Sequence, residues 1–212
     1  MTGKLIAVLG EEKVLIDRPL KDYTTFRVGG PAKAVAVLEN EDELKKAVKI
    51  LTEENEKYFI IGNGSNLLVS DEGYDGIVLK LSGEFTDIRI EGEKITAGAG
   101  CILSKVCRAA LDAGLSGLEF AYGIPGTVGG AMVMNAGAYD GEMKLVVNAV
   151  RVLTKDGTVK LLSNEEMAFG YRDSILKHDE LIVLSAEFML KRGETASIKE
   201  KMDDFMERRR SK

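Results

Sequence analysis

The stretch Gly123-Ile124-Pro125-Gly126-Thr127-Val128-Gly129-Gly130-Ala131, running on to Met134-Asn135-Ala136-Gly137-Ala138-Tyr139, decides how this chain is read. Gly123, Gly126, Gly129, Gly130 and Gly137 fall within fifteen residues. Glycine loses more backbone freedom on folding than any other residue, so a cluster this dense needs a close approach of backbone to a neighbour or a ligand to offset the cost. Pro125 stiffens the entry, and Thr127 can cap a short helix whose N-terminus would face anionic groups. The residues leave two readings open: glycine-permitted packing between lobes, or a bed for a flat ligand.

Upstream, Ile60-Ile61-Gly62-Asn63-Gly64-Ser65-Asn66-Leu67-Leu68 follows a buried-strand pattern with closely spaced glycines and two neutral donors. Such a turn can aim several backbone N–H groups into one concavity and cradle a pyrophosphate, although an ordinary tight turn has the same spelling. The dinucleotide fingerprint of a doubly wound sheet needs a third glycine at position 67, and Leu67 stands there. Downstream, Phe169-Gly170-Tyr171-Arg172-Asp173-Ser174 offers a permanently charged planar fork for a carboxylate or developing oxyanion. Read alone, Arg172 beside Asp173 is most simply a surface ion pair, and His178 a solvated loop residue.

Between these segments the pattern alternates. Strands are expected at 32–38, 58–61, 67–69, 76–81, 85–90, 94–97, 145–153, 159–162 and 181–190. Asn40 and Glu43 form a capping box for a helix with Leu44, Ala47, Val48 and Leu51 on one face. A second helix over 102–113 ends at Gly114, and Ser163 with Glu166 can cap a third, short one. Ile198, Met202, Phe205 and Met206 make the stripe of a final helix ending in Arg208 to Lys212, a cluster suited to a helix C-terminus. The stripe needs a partner, inside these lobes or beyond them. A lobe boundary is placed near Gly98 to Gly100, dividing the chain into residues 1–97 and 98–212.

The 212 residues allow one large or two small domains, and a formal net charge of −5 argues against nucleic acid as a main partner. No apolar run approaches a membrane span and no signal peptide is visible. Cys101 and Cys107 with a single histidine fit neither a zinc site nor a disulfide framework; they read as reduced, buried thiols, and no metal is expected. Absent Gln and Trp with 30% charged residues lean toward a heat-adapted source.

Taken together, Thr24-Thr-Phe-Arg-Val-Gly-Gly30, Gly62-Asn-Gly-Ser-Asn66, Gly123-Ile-Pro-Gly-Thr-Val-Gly-Gly130 with Asn135-Ala-Gly-Ala-Tyr139, and Tyr171-Arg-Asp-Ser174 resemble the UDP-N-acetylenolpyruvoylglucosamine reductase (MurB) family in order and spacing. The resemblance implies an α+β FAD-binding fold of the vanillyl-alcohol-oxidase type, two lobes holding FAD noncovalently between them. It assigns Ile61, Gly62, Asn63, Gly64, Ser65, Asn66 and Leu67 to the cofactor's pyrophosphate. It assigns Gly98, Ala99, Gly100, Gly123, Ile124, Pro125, Gly126, Thr127, Gly129, Gly130, Ala131, Asn135 and Gly137 to the same cofactor. The implied reaction passes a hydride from NADPH through the flavin to the enolpyruvyl group of a nucleotide sugar, in the cytoplasm. That step serves peptidoglycan precursor synthesis, and through it cell-wall biogenesis, cell shape and division. Arg172 matches the family's catalytic arginine, and Tyr171 would position the substrate carboxylate. The family's proton-donating serine in a Gly-Ser-x-Phe type motif and its C-terminal glutamate have no counterpart here. The expectation is therefore an incomplete enzyme lacking its substrate domain. The alternatives are a flavin-holding module or a subunit of another flavin oxidoreductase.

Overall fold

The computed structural model describes residues 1–211. Helix α1 (Thr2–Leu9) leads into strand β1 (Val14–Pro19), which pairs antiparallel with β2 (Pro31–Leu38). Helix α2 (Glu41–Glu53) follows, then β3 (Tyr58–Ile61) and β4 (Tyr74–Leu81). The four strands form a sheet in the order β1-β2-β4-β3, parallel between β2, β4 and β3. The capping box forms: Asn40 Oδ1 accepts from the Glu43 N–H at 2.9 Å, while the Glu43 carboxylate reaches back to the Glu39 N–H, one residue before the cap. Leu44, Ala47, Val48 and Leu51 are buried, as their spacing requires.

The hairpin of β5 (Ile88–Glu91) and β6 (Lys94–Gly98) turns at Gly92, whose φ of +65° suits the first central position of a type II′ turn. Helix α3 (Leu103–Asp112) ends where Gly114 takes φ +64°. After β7 (Leu115–Ser116) come the short helix α4 (Val128–Val133) and the small ribbon of β8 (Gly137–Ala138) and β9 (Gly141–Glu142). The hairpin of β10 (Val147–Thr154) and β11 (Val159–Ser163) turns at Asp156-Gly157. Then β12 (Leu181–Met189) and β13 (Lys191–Arg192) lead to α5 (Thr195–Arg210). A second, antiparallel sheet has the order β11-β10-β12-β6-β5. Since β6 bonds to β12, the sheets change over between Leu81 and Ile88, before the glycines at 98 and 100.

One apolar cluster joins α1, α2, the inner faces of both sheets, α3, α4 and α5. The outer face of the first sheet carries a smaller cluster, Leu20, Ala32, Val35, Ile61 and Val78, roofed by Tyr23, Leu67 and Val69. That roof is why 67–69 forms no strand: the segment is held by apolar contacts and by the Gly30 N–H to Ser70 carbonyl bond, outside either sheet. Other local expectations also yield to packing. Residues 83–86 make a turn of 3₁₀ helix that buries Phe85, and only the later part of 85–90 is strand. Ser163 and Glu166 do bond reciprocally, but a turn follows instead of a helix. Helix α1 and strand β1 carry no clear periodicity and were not expected; β1 is an edge strand with only Val14 fully covered. The α5 stripe finds its partner within the lobes: Ile198 and Met202 are buried, and Phe205 stacks on Tyr139 with ring centroids 4.5 Å apart. Lys212, the end of the basic cluster, lies outside the described residues.

The cap gives a direct check on this assembly. Asn40→Ala lowers unfolding free energy by ~1 kcal/mol, within a range of roughly 0.5–2, in a denaturant titration. An unchanged midpoint contradicts the cap.

Candidate active site

Strand β3 delivers the chain to Gly62 on the outer edge of the first sheet, and α4 begins at Thr127 on the other side of a cleft of about 460 Å³. The two meet directly: a Cβ at Gly62 would collide with Thr127 Oγ1. Asn63 Nδ2 donates to the Pro125 carbonyl at 3.0 Å, a second tie between the loops. Gly64 has φ +60°, and a Cβ there would run into the Tyr23 carbonyl. Thr25 N–H donates to the Gly64 carbonyl at 3.2 Å, so the Thr24–Gly30 segment is the floor on which the Gly62–Asn66 loop lies. Two motifs distant in sequence are thus one object.

Within that loop the backbone N–H groups of Asn63, Gly64, Ser65 and Asn66 find no acceptor among the described residues. Adjacent unpaired N–H groups in one tight loop can serve as an anion cradle where they converge on a ligand. Lys80 lies beneath, its ammonium 3.4 Å from the Gly62 carbonyl and 5.9 Å from the centre of the Tyr23 ring, with no carboxylate partner among the described residues. Burial holds its pKa below the ordinary lysine value.

The cleft is otherwise lined by apolar and glycine surface, including Leu67, Leu103, Ile124, Gly126, Gly130, Ala131, Val133 and Met134. It continues into a slot of about 100 Å³ bounded by Ile61, Ala99, Gly100 and Gly129. Among the described residues its only charged lining residues are Arg172 and Arg209, and none of its lining residues is a carboxylate. Asp173 does not neutralise Arg172: it pairs with His178 at 3.0 Å, and that hydrogen bond draws the Asp173 pKa below the usual carboxylate range. His178 is exposed but tied.

Several residues read as cofactor-binding lie elsewhere. Gly98 is a glycine because the Phe85 carbonyl would meet any Cβ, and it borders a different groove with Glu41 and Arg151; Gly100 stays on the slot, where the Leu81 carbonyl leaves no room for a Cβ. Gly123 is covered by the Arg209 side chain, and Gly137 closes the β8–β9 ribbon against Gly141. Asn135 is buried in hydrogen bonds away from the cleft, and Tyr171 is 93% exposed outside its lining. The expected anion-facing N-terminus of α4 is corrected too: the Val128 and Gly129 N–H groups donate to the Cys101 and Ala99 carbonyls, and Thr127 Oγ1 takes Gly130 N–H. Cys101 and Cys107 are buried and unbonded to each other, and burial pushes the Cys107 thiol up to about 12. Sequence reading passed over Lys80, inside a strand pattern, and Arg209, read as a helix end. The signal available for Lys80 was a lysine at the end of an apolar strand; Arg209 gave none that separates it from its neighbours.

Residues 32–163 match the family model described as an FAD binding domain. A UDP-N-acetylenolpyruvoylglucosamine reductase of Caldanaerobacter subterraneus subsp. tengcongensis is 48% identical over all of this chain, which covers 70% of that relative. The chain belongs to the UDP-N-acetylenolpyruvoylglucosamine reductase (MurB) family. A Clostridioides difficile member is 45% identical over 98% of this chain and 68% of its own length. The solved MurB of Thermus caldophilus superposes with a TM-score of 0.83 at 40% identity, covering 94% of this chain and 71% of that one. The p-cresol methylhydroxylase structure, 18% identical, shares the fold with a TM-score of 0.64 over 91% of this chain and 43% of its own. The fold is therefore the α+β FAD-binding fold of the vanillyl-alcohol-oxidase type. In this MurB-family chain the residues present fit FAD: free N–H donors for a pyrophosphate, an apolar slot for a flat ring and no opposing carboxylate.

Gly130 separates a packing glycine from a ligand glycine, because a Cβ there meets only Thr127 Oγ1, at 3.6 Å, on the cleft side. Gly130→Ala keeps or raises flavin-free stability, by up to ~1 kcal/mol, and weakens FAD binding at least ~tenfold. Paired denaturation and fluorescence titrations measure both. Affinity within twofold of the parent contradicts the placement of the flavin.

Proposed function

We propose that this chain holds FAD noncovalently in the cleft and uses it, with NADPH as hydride donor, to reduce the enolpyruvyl group of UDP-N-acetylenolpyruvoylglucosamine in cytoplasmic peptidoglycan precursor synthesis. The observation that carries the proposal is the acid-free cleft with four free N–H donors at one end and Arg172 presented into it. Asn63 to Asn66, with Lys80 behind them, would hold the pyrophosphate; Ala99, Gly100, Gly129 and Gly130 would pack on the ring. Among the described residues no histidine, cysteine or tyrosine lines the cleft, which supports noncovalent attachment.

When bound, FAD would supply the hydride that it takes from NADPH. Addition at the enolpyruvyl methylene carbon pushes negative charge onto the substrate carboxylate as an enediolate. A guanidinium already fixed beside that carboxylate binds the transition state better than the ground state, because the charge grows as the bond forms. Arg172 suits this work: it stays charged at any working pH and has no ion pair among the described residues to compete with the substrate. Arg209, the second lining cation, adds to the attraction for anions. Tyr171, exposed beside Arg172 in sequence, is free to approach the carboxylate from outside the cleft.

A second reading rests on one observation. Among the described residues the only hydroxyls lining the cleft are Ser65 and Thr127, both in the loops assigned to the cofactor, so none of these lining side chains is left to protonate the adjacent carbon. In that reading the chain is an FAD-holding module. Turnover of the enolpyruvyl nucleotide with NADPH decides between them.

Two outcomes are expected. Heat or acid releases FAD intact; FMN as the released species, or flavin retained on denatured protein, contradicts the cofactor assignment. In stopped-flow half-reactions, Arg172→Ala leaves NADPH-to-flavin transfer nearly unchanged and slows flavin-to-substrate transfer at least ~100-fold, about 2.7 kcal/mol. Equal losses in both would show that Arg172 supports the fold or the cofactor instead.

A further inference from the structure

The turn that presents Arg172 is bracketed by two buried polar side chains. Asn135 is 3% exposed and Ser174 is 1% exposed. The Asn135 amide donates to the Gly170 carbonyl at 2.9 Å and to Glu142 Oε2 at 3.0 Å, and its oxygen accepts from the Lys144 N–H at 2.9 Å. Ser174 Oγ donates to the Val133 carbonyl at 3.0 Å. These bonds attach residues 170 and 174, on either side of Arg172, to the end of α4 and the residues just after it. Between them Gly170 N–H donates to the Asp173 carbonyl at 3.0 Å, closing a tight bridge.

Arg172 pays for this geometry in backbone strain, with φ +54°, a left-handed conformation that non-glycine residues keep only where their surroundings impose it. Asn135 is left-handed as well, at φ +39°, which asparagine tolerates better than most residues. We infer that Asn135 is the positioning residue for Arg172: it does not line the cleft, but its amide clamps the Gly170 carbonyl and so fixes where the guanidinium points. The inference rests on the reading of Arg172 as the cation that meets the substrate. It gives α4 two jobs, since its N-cap residue Thr127 sits against Gly62 and the residues just past its far end carry the clamp. Cofactor loop and arginine are thereby registered to one rigid element, as a fixed electrostatic site requires.

The test uses Asn135→Gly and Asn135→Ala in the 212-residue chain. Glycine accepts the left-handed backbone without strain, so Asn135→Gly keeps the experiment open if the alanine variant does not fold. Ser174→Ala, which removes one bracketing bond, is the milder companion. Three quantities are measured: the FAD dissociation constant, ¹⁵N relaxation of the Arg172 and Asp173 amides in flavin-free protein, and the rate of reduced-flavin oxidation by UDP-N-acetylenolpyruvoylglucosamine. FAD affinity is expected to stay within about twofold, whereas the amide order parameters fall from about 0.85 to below about 0.6. Flavin oxidation slows roughly ten- to a hundredfold, and Asn135→Gly adds no further slowing in an Arg172→Ala background. A tenfold loss of FAD affinity overturns the inference by making Asn135 a cofactor residue. Unchanged order parameters overturn it directly, and additive slowing assigns Asn135 a general structural role. If the parent chain bound no FAD, the proposed function would fail, while the relaxation data on flavin-free protein would still decide the role of Asn135.

Discussion

Gly62 and Thr127 stand so close that no side-chain atom fits between them, and this contact organises the rest of the molecule. It joins the edge of the first sheet to the start of α4, whose body packs on β12 of the second sheet. The Asn63 amide bond to Pro125 repeats the tie one residue further on. The loops cannot separate without losing both contacts, nor approach further without collision, so the Thr127 and Asn63 side chains against the facing backbone hold the loops in register. Glycine is required at positions 62 and 64 for different neighbours, Thr127 on the cleft side and Tyr23 on the floor.

The electrostatics follow from that geometry. The chain as a whole is acidic, with a net charge of −5, yet among the described residues the cleft lining includes a loop with unpaired N–H groups, two guanidiniums and no carboxylate. Lys80 contributes a partly desolvated charge from beneath, whose depressed pKa reflects burial that an anion in the loop would offset. Asp173, the one acid adjacent to Arg172 in sequence, is occupied by His178. A site with this sign and this apolar slot is built for a flat, multiply anionic ligand, which agrees with the FAD-binding family the chain belongs to.

Features encoded over a few residues were legible in the sequence. The Asn40–Glu43 box, the Gly114 stop and the 3.6-residue stripe of α2 all report local conformational preference, and each formed. What was not legible depends on distant partners. Nothing near residues 88–98 says that β6 will bond to β12, and nothing near 67–69 says that apolar packing over Val78 will win against a strand. The glycines show the same division. Glycine-rich spelling identified the cleft walls, but it cannot distinguish Gly130, open toward the cleft, from Gly98, forced by the Phe85 carbonyl. Asn135 sits among these glycines in sequence, while its amide turns toward Gly170 and Glu142; the direction of a side chain is set by φ and by partners that arrive later in the chain.

The central claim is that the free N–H groups of residues 63–66 receive a pyrophosphate. Hydrogen–deuterium exchange of those amides, followed in the flavin-free chain and after saturation with FAD or with riboflavin, tests it most directly. FAD slows exchange at Asn63 to Asn66 while riboflavin, which has the ring but no phosphate, leaves it unchanged. Equal protection by both ligands, or protection by neither, contradicts the account.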